Sequence, residues 1–319
     1  MNICHRGLSC GVKLQKVTKL LRGSTGLNPG IQLARCVSTG GPTDQKVHRL
    51  KDAEPFKNYA KSTESLDHFT SKTTQPKIEN YTFPHPIWSN EELNEVEISH
   101  RKPQGIADHL AYFSVMTLRT SFDLFSGYTI QNKLNTLDER SVLIRAIFLE
   151  TVAGVPGFSA GMIRHLQSLR KMRRDHGWIH TLIEEAENER MHLLTFLELK
   201  KPGPIFRGVV VFTQLSFTAG FSLAYLISPH FCHRFVGYLE EQAVVTYTQI
   251  LNKIDEGKLP MWKNLPAPVI AVKYWKLDEK AVMRDVILAI RADEAHHRQV
   301  NHTLGDLDHN QDNPYGPGQ

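Results

Sequence analysis

Glutamate and histidine stand three residues apart at two places in the chain, at Glu189 and His192 and again at Glu294 and His297. Residues i and i+3 of an α-helix project from the same face, so each pair can offer a carboxylate oxygen and an imidazole nitrogen to one metal ion. Carboxylate and imidazole suit Fe(II) and Fe(III) better than soft thiolates would. The two pairs therefore predict a site of two irons, which can deliver two electrons at once to O2.

Two further glutamates stand in apolar surroundings, Glu150 after the run 142–149 and Glu240 between Leu239 and Val244. A carboxylate in an apolar stripe is costly to bury unless it is paired, protonated or bound to metal. Each glutamate alone is more often a residue of the helix surface, and a lone Glu-x-x-His also occurs by chance. The order Glu, Glu-x-x-His, Glu, Glu-x-x-His, spaced by whole helices, is the ligand pattern of the ferritin-like four-helix bundle.

Glu294 is followed by two histidines, His296 and His297. A residue at i+2 points about 200° around the helix, whereas one at i+3 points about 300°, back near the starting face. The geometry predicts that His297 is the ligand and that His296 faces away.

Tyr247 follows Glu240 by two helical turns and so lies on the same face. A phenol there could supply an electron and a proton to the metals. It could equally be a core tyrosine whose hydroxyl bonds a carboxylate, and both roles can hold together.

Helical periodicity runs from about residue 106 to about residue 304, which predicts an all-α fold. Six long helices fit this stretch: 106–131, 137–173, 176–199, 205–228, 231–254 and 278–304. Small residues in the second, around Gly157 and Gly161, indicate close packing, either within the bundle or at a dimer interface.

Two of the six predicted helices, the first and the fourth, have apolar faces and supply none of the predicted metal ligands. Residues 208–228 carry no charge and are long enough to span a bilayer, but polar residues such as Gln214 make them only moderately apolar. Arg119 and Asp123 argue against a spanning role for the first helix. We predict two amphipathic helices lying in one leaflet; a buried core helix is the alternative for 208–228.

The first 43 residues hold six basic and no acidic side chains, with apolar residues spaced among them. This composition is typical of a mitochondrial transit peptide, here placed at 1–40; a disordered basic tail is the alternative. The rest of the chain holds 32 basic and 33 acidic residues, so it has no overall basic bias to suggest nucleic acid. Cleavage near residue 40 would leave one cysteine, Cys232, which counts against an iron–sulfur site.

The polar, proline-containing segment 41–103 is expected to be an extended arm. A helical oxidase domain is placed at 104–305 and a tail at 306–319.

Four segments closely resemble the alternative oxidases, a family of cyanide-insensitive ubiquinol oxidases of the mitochondrial inner membrane. They are Leu149-Glu150-Thr151, Asn188-Glu189-Arg190-Met191-His192, Leu239-Glu240-Glu241-Gln242-Ala243 and Arg291-Ala292-Asp293-Glu294-Ala295-His296-His297-Arg298. The resemblance implies that two irons are held by Glu150, Glu189, His192, Glu240, Glu294 and His297. It further implies a redox or organising role for Tyr247, and hydrogen bonds around the ligands from Asn188, Asp293 and Trp275.

The resemblance also implies a ubiquinol pocket, formed by Arg145, Leu149, Gln242, Ala243 and Thr246. Gln242 departs from the family, which usually has a third consecutive acid there, and a neutral amide cannot accept the quinol proton. The implied enzyme is a homodimer on the matrix side of the inner membrane that oxidises two ubiquinols and reduces O2 to two waters. With no proton path across the membrane, it is expected not to pump protons.

Two other functions would use the same six ligands. An iron-storage or ferroxidase bundle leaves the transit peptide, the apolar helices and Arg145 without a role. A soluble di-iron hydroxylase or desaturase is the third hypothesis.

Overall fold

A computed structural model describes residues 82–134 and 136–319 of the chain. The predicted transit peptide and most of the predicted arm lie outside these residues. Eleven α-helices occur within the described ranges: α1 (Asn90–Glu95), α2 (Ile106–Phe125), α3 (Tyr128–Lys133), α4 (Glu139–Ala153), α5 (Val155–Lys171), α6 (Trp178–Leu199), α7 (Pro204–Ile227), α8 (Pro229–Asp255), α9 (Pro260–Asn264), α10 (Val269–Tyr274) and α11 (Met283–Asp306).

The all-α prediction is confirmed, but two of the six predicted helices are divided. The first is interrupted at Gly127, whose φ of 71° is a left-handed conformation that glycine adopts readily. The second is interrupted at Gly154, two residues before Pro156, whose ring cannot continue a hydrogen-bonded helix interior. α1 is a short helix in the segment where the sequence predicts little structure.

The central bundle consists of α4, α6, α8 and α11, which pack around one hydrophobic core. Ile147, Met191, Leu251 and Ile287 each give that core a buried side chain, one from each helix. Helix starts are set locally: the Asp138 carboxylate accepts from the backbone N–H of Ser141 at 2.9 Å, in the manner of an N-cap.

Close packing of α5 on α6 accounts for the small residues of the second predicted helix. A Cβ at Gly157 would lie 2.5 Å from the carbonyl oxygen of Leu182, and one at Gly161 would lie 2.9 Å from Ile183. The glycines therefore serve contacts within the chain.

α2 and α7 flank the bundle and keep apolar faces exposed. Phe148 of α4 stacks on Phe122 of α2 at 5.1 Å and meets Phe206 of α7 edge-on. The large exposed side chains on the two helices are Ile106, Leu110, Phe113, Leu118, Leu124, Phe125, Ile205, Val209, Val211, Phe212, Leu215, Leu223, Leu226 and Ile227.

By length and composition, α7 and the stretch Glu139–Lys171 are apolar enough to cross a membrane. The buried share of the most apolar window is 44% in Glu139–Lys171, whose first helix, α4, belongs to the bundle, and 11% in α7. α7 is therefore not the buried core helix that the sequence left open.

A set of charged side chains ties α2 to the bundle; we call Asp108, His230, Arg234, Glu241 and His302 the anchor cluster. His230 Nε2 lies 3.0 Å from Asp108 Oδ1, and Arg234 Nε lies 3.3 Å from the same oxygen. His302 Nε2 lies 3.0 Å from Glu241 Oε1. The cluster joins α2, α8 and α11.

Candidate metal centre

The four helices of the bundle bring the six predicted ligands together at its centre. α4 supplies Glu150 and α8 supplies Glu240, while α6 and α11 each supply a Glu-x-x-His pair. The six side chains form two overlapping groups that could each hold a metal ion, and all six are buried. One group is Glu150, Glu189, His192 and Glu294; the other is Glu189, Glu240, Glu294 and His297.

The two groups share Glu189 and Glu294, and each of these carboxylates turns one oxygen to each histidine. Glu189 places Oε2 at 3.4 Å from His192 Nδ1 and Oε1 at 2.8 Å from His297 Nδ1. Glu294 places Oε1 at 3.5 Å from His192 Nδ1 and Oε2 at 3.7 Å from His297 Nδ1. In this arrangement Glu189 and Glu294 could each offer one oxygen to each of two metal ions.

Several polar atoms of the centre are buried without a hydrogen-bond partner: Glu150 Oε2, both oxygens of Glu189, His192 Nδ1 and Glu294 Oε2. Leaving such atoms unpaired costs about 1–3 kcal/mol each, and more when they are charged. Two divalent ions would coordinate these atoms, and their four positive charges would neutralise the four carboxylates. The donor set and the charge therefore fit a pair of metal ions.

The protein alone balances these charges by shifting protons. Burial raises the pKa of Glu150 to about 8. Burial would also raise the pKa of Glu189, but His192 and His297 beside it hold that pKa below its ordinary value. The carboxylates around the two histidines raise the pKa of each imidazole well above its ordinary value, against the opposing effect of burial. Metal binding must therefore displace protons from this centre.

Asp293 orients His192 from behind. Its Oδ2 lies 3.1 Å from His192 Nε2 and accepts hydrogen bonds from the indole of Trp275 at 2.8 Å and the amide of Asn188 at 3.0 Å. A hydrogen on Nε2 leaves the Nδ1 lone pair facing the glutamates. The three residues that the resemblance placed around the ligands thus meet at one carboxylate, the usual way a protein fixes the tautomer of a histidine ligand.

Two members of this hydrogen-bond network were not foreseen from the sequence. The indole of Trp88 donates to Asp293 Oδ1 at 2.6 Å, and the amide of Asn188 donates to the hydroxyl of Tyr274 at 2.9 Å. Trp88 precedes α1 in the predicted arm, where no periodicity marks it; only the tertiary fold brings it here.

Tyr247 donates its hydroxyl hydrogen to Glu150 Oε1, so it joins α8 to α4 beside the centre. Burial raises the pKa of this phenol well above its ordinary value, and the neighbouring carboxylates add to the effect. The hydrogen bond to a carboxylate matches one of the two roles considered for Tyr247, and the position beside a ligand is compatible with the other.

Comparison with known proteins agrees with this geometry. The family model described as alternative oxidase matches residues 88–306, which include all six carboxylate and imidazole donors. The chain belongs to the alternative oxidase family. Members are cyanide-insensitive ubiquinol oxidases, and this chain is accordingly an oxidoreductase.

Individual relatives are named mitochondrial alternative oxidases. That of Trypanosoma brucei brucei is 53% identical over 222 residues, covering 70% of this chain and 66% of the relative. That of Emericella nidulans is 49% identical over 260 residues, covering 75% and 73%. That of Yarrowia lipolytica is 42% identical over 298 residues, covering 90% and 82%. The shared names support a mitochondrial location.

Within this alternative oxidase the residues of the implied quinol pocket lie beside Glu150 and Tyr247, on α4 and α8. Arg145 is buried, donates to Asp123 and to Ser126 Oγ, and lies against the rings of Phe122 and Tyr128 at 4.5 and 4.3 Å. It is therefore neither a surface arginine nor a free cation.

Arg119 of α2 closes the same region from the other side. It donates to Thr246 Oγ1 at 2.9 Å and to the backbone oxygen of Gln242 at 2.8 Å, and it pairs with Asp123 at 3.3 Å. Leu149 and Ala243 are half-buried on the neighbouring turns. In the sequence, Arg119 was only a charge that argued against a membrane-spanning first helix. Its hydrogen bonds to Gln242 and Thr246 of α8 could not be predicted from residue spacing.

His296 does not point at the bridging carboxylates. Its ring packs against Trp88 and Tyr315, at 5.7 and 6.0 Å between centroids, and it belongs to neither metal group. Burial lowers its pKa to about 4.

Proposed function

We propose that the chain oxidises two ubiquinols and reduces one O2 to two waters at a pair of irons held by the six buried donors. The observation that carries the proposal is the sharing of Glu189 and Glu294 between the two metal groups. The irons, when bound, would exchange electrons with both substrates. Carboxylate and imidazole are donors suited to iron in both of its oxidation states.

Ubiquinol would bind beside Arg145, Leu149, Gln242, Ala243 and Thr246. Thr246 lies next to Tyr247 in α8, and Tyr247 donates to Glu150, so a quinol held at Thr246 would lie within two residues of the metal centre. Tyr247 can hold or release a proton at its hydroxyl oxygen. Because Gln242 is a neutral amide, we assign proton acceptance from the quinol to Glu150, with the Tyr247 hydroxyl, which donates to Glu150, passing the proton on.

We place the protein on the matrix side of the inner membrane because the family resemblance implies it, and the exposed apolar faces of α2 and α7 support attachment to one leaflet without spanning. Arg119 and Asp123 lie between α2 and the bundle, so the polar residues of α2 face the protein and its apolar residues face outwards. Ubiquinol is a lipid-soluble substrate, and a pocket that begins between these helices can receive it directly from the bilayer. An enzyme confined to one leaflet would not pump protons.

A homodimer is proposed on a separate surface. Phe158, Met162, Leu166 and Leu169 of α5 are exposed and recur at helical spacing. A neighbouring face of α5, about 100° around the helix, packs on α6 through its glycines and leaves this stripe exposed for a second copy of the chain.

The test is oxygen uptake by the purified, iron-loaded protein supplied with a short-tailed ubiquinol. We expect uptake that persists in cyanide, consumes two quinols per O2 and disappears in Glu189→Ala. Oxidation of free Fe(II) without quinol turnover would favour the iron-storage alternative. Failure to oxidise any quinol would refute the proposal.

A further inference from the structure

A small cavity with several ionisable side chains in its lining lies beside the metal centre, next to His297. Its floor is built from α6 and α11, with Glu184, Glu185, Asn188, Asp293, His296 and His297 among the lining residues. The arm at residues 84–86 and the tail residue Gln319 form its roof. The volume of about 20 Å³ admits one water, which needs about 10–15 Å³.

The cavity has an unused oxygen in its wall. Asn188 is 3% exposed, and its Nδ2 donates to Tyr274 and Asp293, but its Oδ1 has no hydrogen-bond partner. An unpaired buried acceptor is unfavourable unless a ligand or water completes it. With carboxylates and imidazoles around it, this oxygen favours a divalent cation or its water shell.

Carboxylates follow one another from the cavity mouth to the metal centre along α6. Glu184 lies at the mouth, where His180 is within 3.1 Å and the backbone N–H of Gly318 donates to it at 3.1 Å. Glu185 is buried one turn before Glu189, about 6 Å along the helix axis. A cation would thus meet a carboxylate at each step inwards.

The opposite side of the centre is unsuited to a dication. The implied quinol pocket has two arginines, Arg119 and Arg145, that share the single carboxylate Asp123. Beyond the two arginines lie the exposed apolar faces of α2 and α7. A hydrated ion that entered there would lose its water shell beside an apolar surface, which is costly. Charge therefore separates the two approaches, the arginine side for a neutral lipid-soluble substrate and the carboxylate side for a cation.

We propose that this cavity is the entry route for the metal ions: a divalent first-row cation binds first at Glu184, then passes Glu185 to reach Glu189 and His297. At about 20 Å³ the cavity is too small for a hydrated ion, so entry requires displacement of the roof and loss of the contact between Gly318 and Glu184. The inference rests on the metal centre of the proposed function and is independent of quinol oxidation.

The test follows uptake of Co²⁺ by the metal-free full-length protein in a stopped-flow instrument, using the visible absorbance of the bound ion. Glu184→Gln removes the charge at the mouth and keeps an oxygen for Gly318. We expect its association rate constant to fall roughly 10-fold, at the lower end of electrostatic steering effects. Two Co²⁺ per chain should still bind at equilibrium, because no donor of the centre has changed.

The matched control is Glu198→Gln, which removes the same charge from an exposed site near the other end of α6. Its rate constant should equal that of the wild type. Equal rate constants for Glu184→Gln and Glu198→Gln, with two Co²⁺ bound in both, would overturn the proposed route.

Gln319→Ala should change the Co²⁺ association rate constant in the opposite direction. It tests the entry route independently if Glu184→Gln does not fold. Removing a roof side chain should accelerate Co²⁺ uptake, and an unchanged rate would contradict the route. A wild-type protein that takes up two metal ions in this way but oxidises no ubiquinol would refute the proposed function and leave the entry route standing.

Discussion

Glu240 and Glu241 are adjacent in sequence and buried in the same helix, yet they belong to opposite kinds of polar site. Glu241, in the anchor cluster, accepts from the backbone N–H of Arg101 at 2.8 Å and lies 2.7 Å from His100 Nδ1 and 3.0 Å from His302 Nε2. Around Glu240, both oxygens of Glu189 and one of Glu294 have no hydrogen-bond partner. A buried carboxylate whose oxygens all accept hydrogen bonds stabilises the fold, whereas buried carboxylate oxygens without hydrogen-bond partners indicate a ligand site.

The difference also reverses the response to pH. Burial would raise the pKa of Glu241, but hydrogen bonds from His302 and Arg101 hold it below its ordinary value. Its stabilisation is therefore present above the unfolded pKa of about 4.5 and lost as pH falls through the folded value. Burial raises the pKa of Glu150 to about 8. The metal-free protein should therefore lose stability as pH rises from about 4.5 to 8, because Glu150 must then ionise in a buried site.

The largest effect should come from Glu240→Gln. One metal group loses a charged donor, so iron content and quinol oxidation should fall by more than the roughly 10–100-fold typical of losing an outer hydrogen-bond partner. Metal-free stability should hold or increase, because a buried carboxylate is removed. Iron analysis, oxygen uptake and thermal unfolding of the metal-free protein check this; a variant with wild-type iron and activity would show that Glu240 is not a ligand.

Asp293→Ala tests the network behind His192. Four donors lose their acceptor, and Nε2 of His192 loses the partner that fixes its tautomer. We expect metal affinity to fall about 10–100-fold. Titration with Co²⁺ measures it, with Asp285→Ala near the start of α11 as the control that leaves affinity unchanged.

Removal of the metal ions should lower the free energy of unfolding. Saturating metal at about 100 times its dissociation constant adds about 2.7 kcal/mol to the free energy of unfolding. Since Glu150 must lose its proton, affinity should rise with pH up to about 8. Thermal unfolding with and without metal between pH 6 and 8 checks this, and a shift independent of pH would contradict the assigned protonation of Glu150.

Glu241→Gln should act on stability alone. Losing one charged partner of His302 and His100 should cost about 1–3 kcal/mol, with metal content unchanged. The variant should also lose less stability than the wild type below pH 4.5. Urea unfolding at pH 4 and pH 7 gives both values; a loss of bound iron would instead join this residue to the metal centre.

Spacing along helices was sufficient to predict the two Glu-x-x-His pairs, because residues three and four apart share a face whatever the tertiary fold. Glu150 and Glu240 were predicted from their apolar surroundings and from the order of the four motifs. Spacing also separated His297 from His296. Contacts between distant segments could not be predicted in this way: Trp88 reaches Asp293 across 205 residues. The same holds for Arg119 and the anchor cluster, whose partners lie on other helices.

Helix ends were predicted less well than helix faces. The interruptions at Gly127 and Gly154 depend on single backbone conformations, which the apolar periodicity on either side conceals. The role of the glycines in α5 was likewise open until their contact with α6 was known.

The most direct test of the central claim is the number of irons bound per folded chain. If Glu189 and Glu294 bridge two ions, the purified wild-type protein loaded anaerobically with Fe(II) should hold two per chain. One iron per chain, or none, would contradict the shared-carboxylate centre on which the proposed function depends.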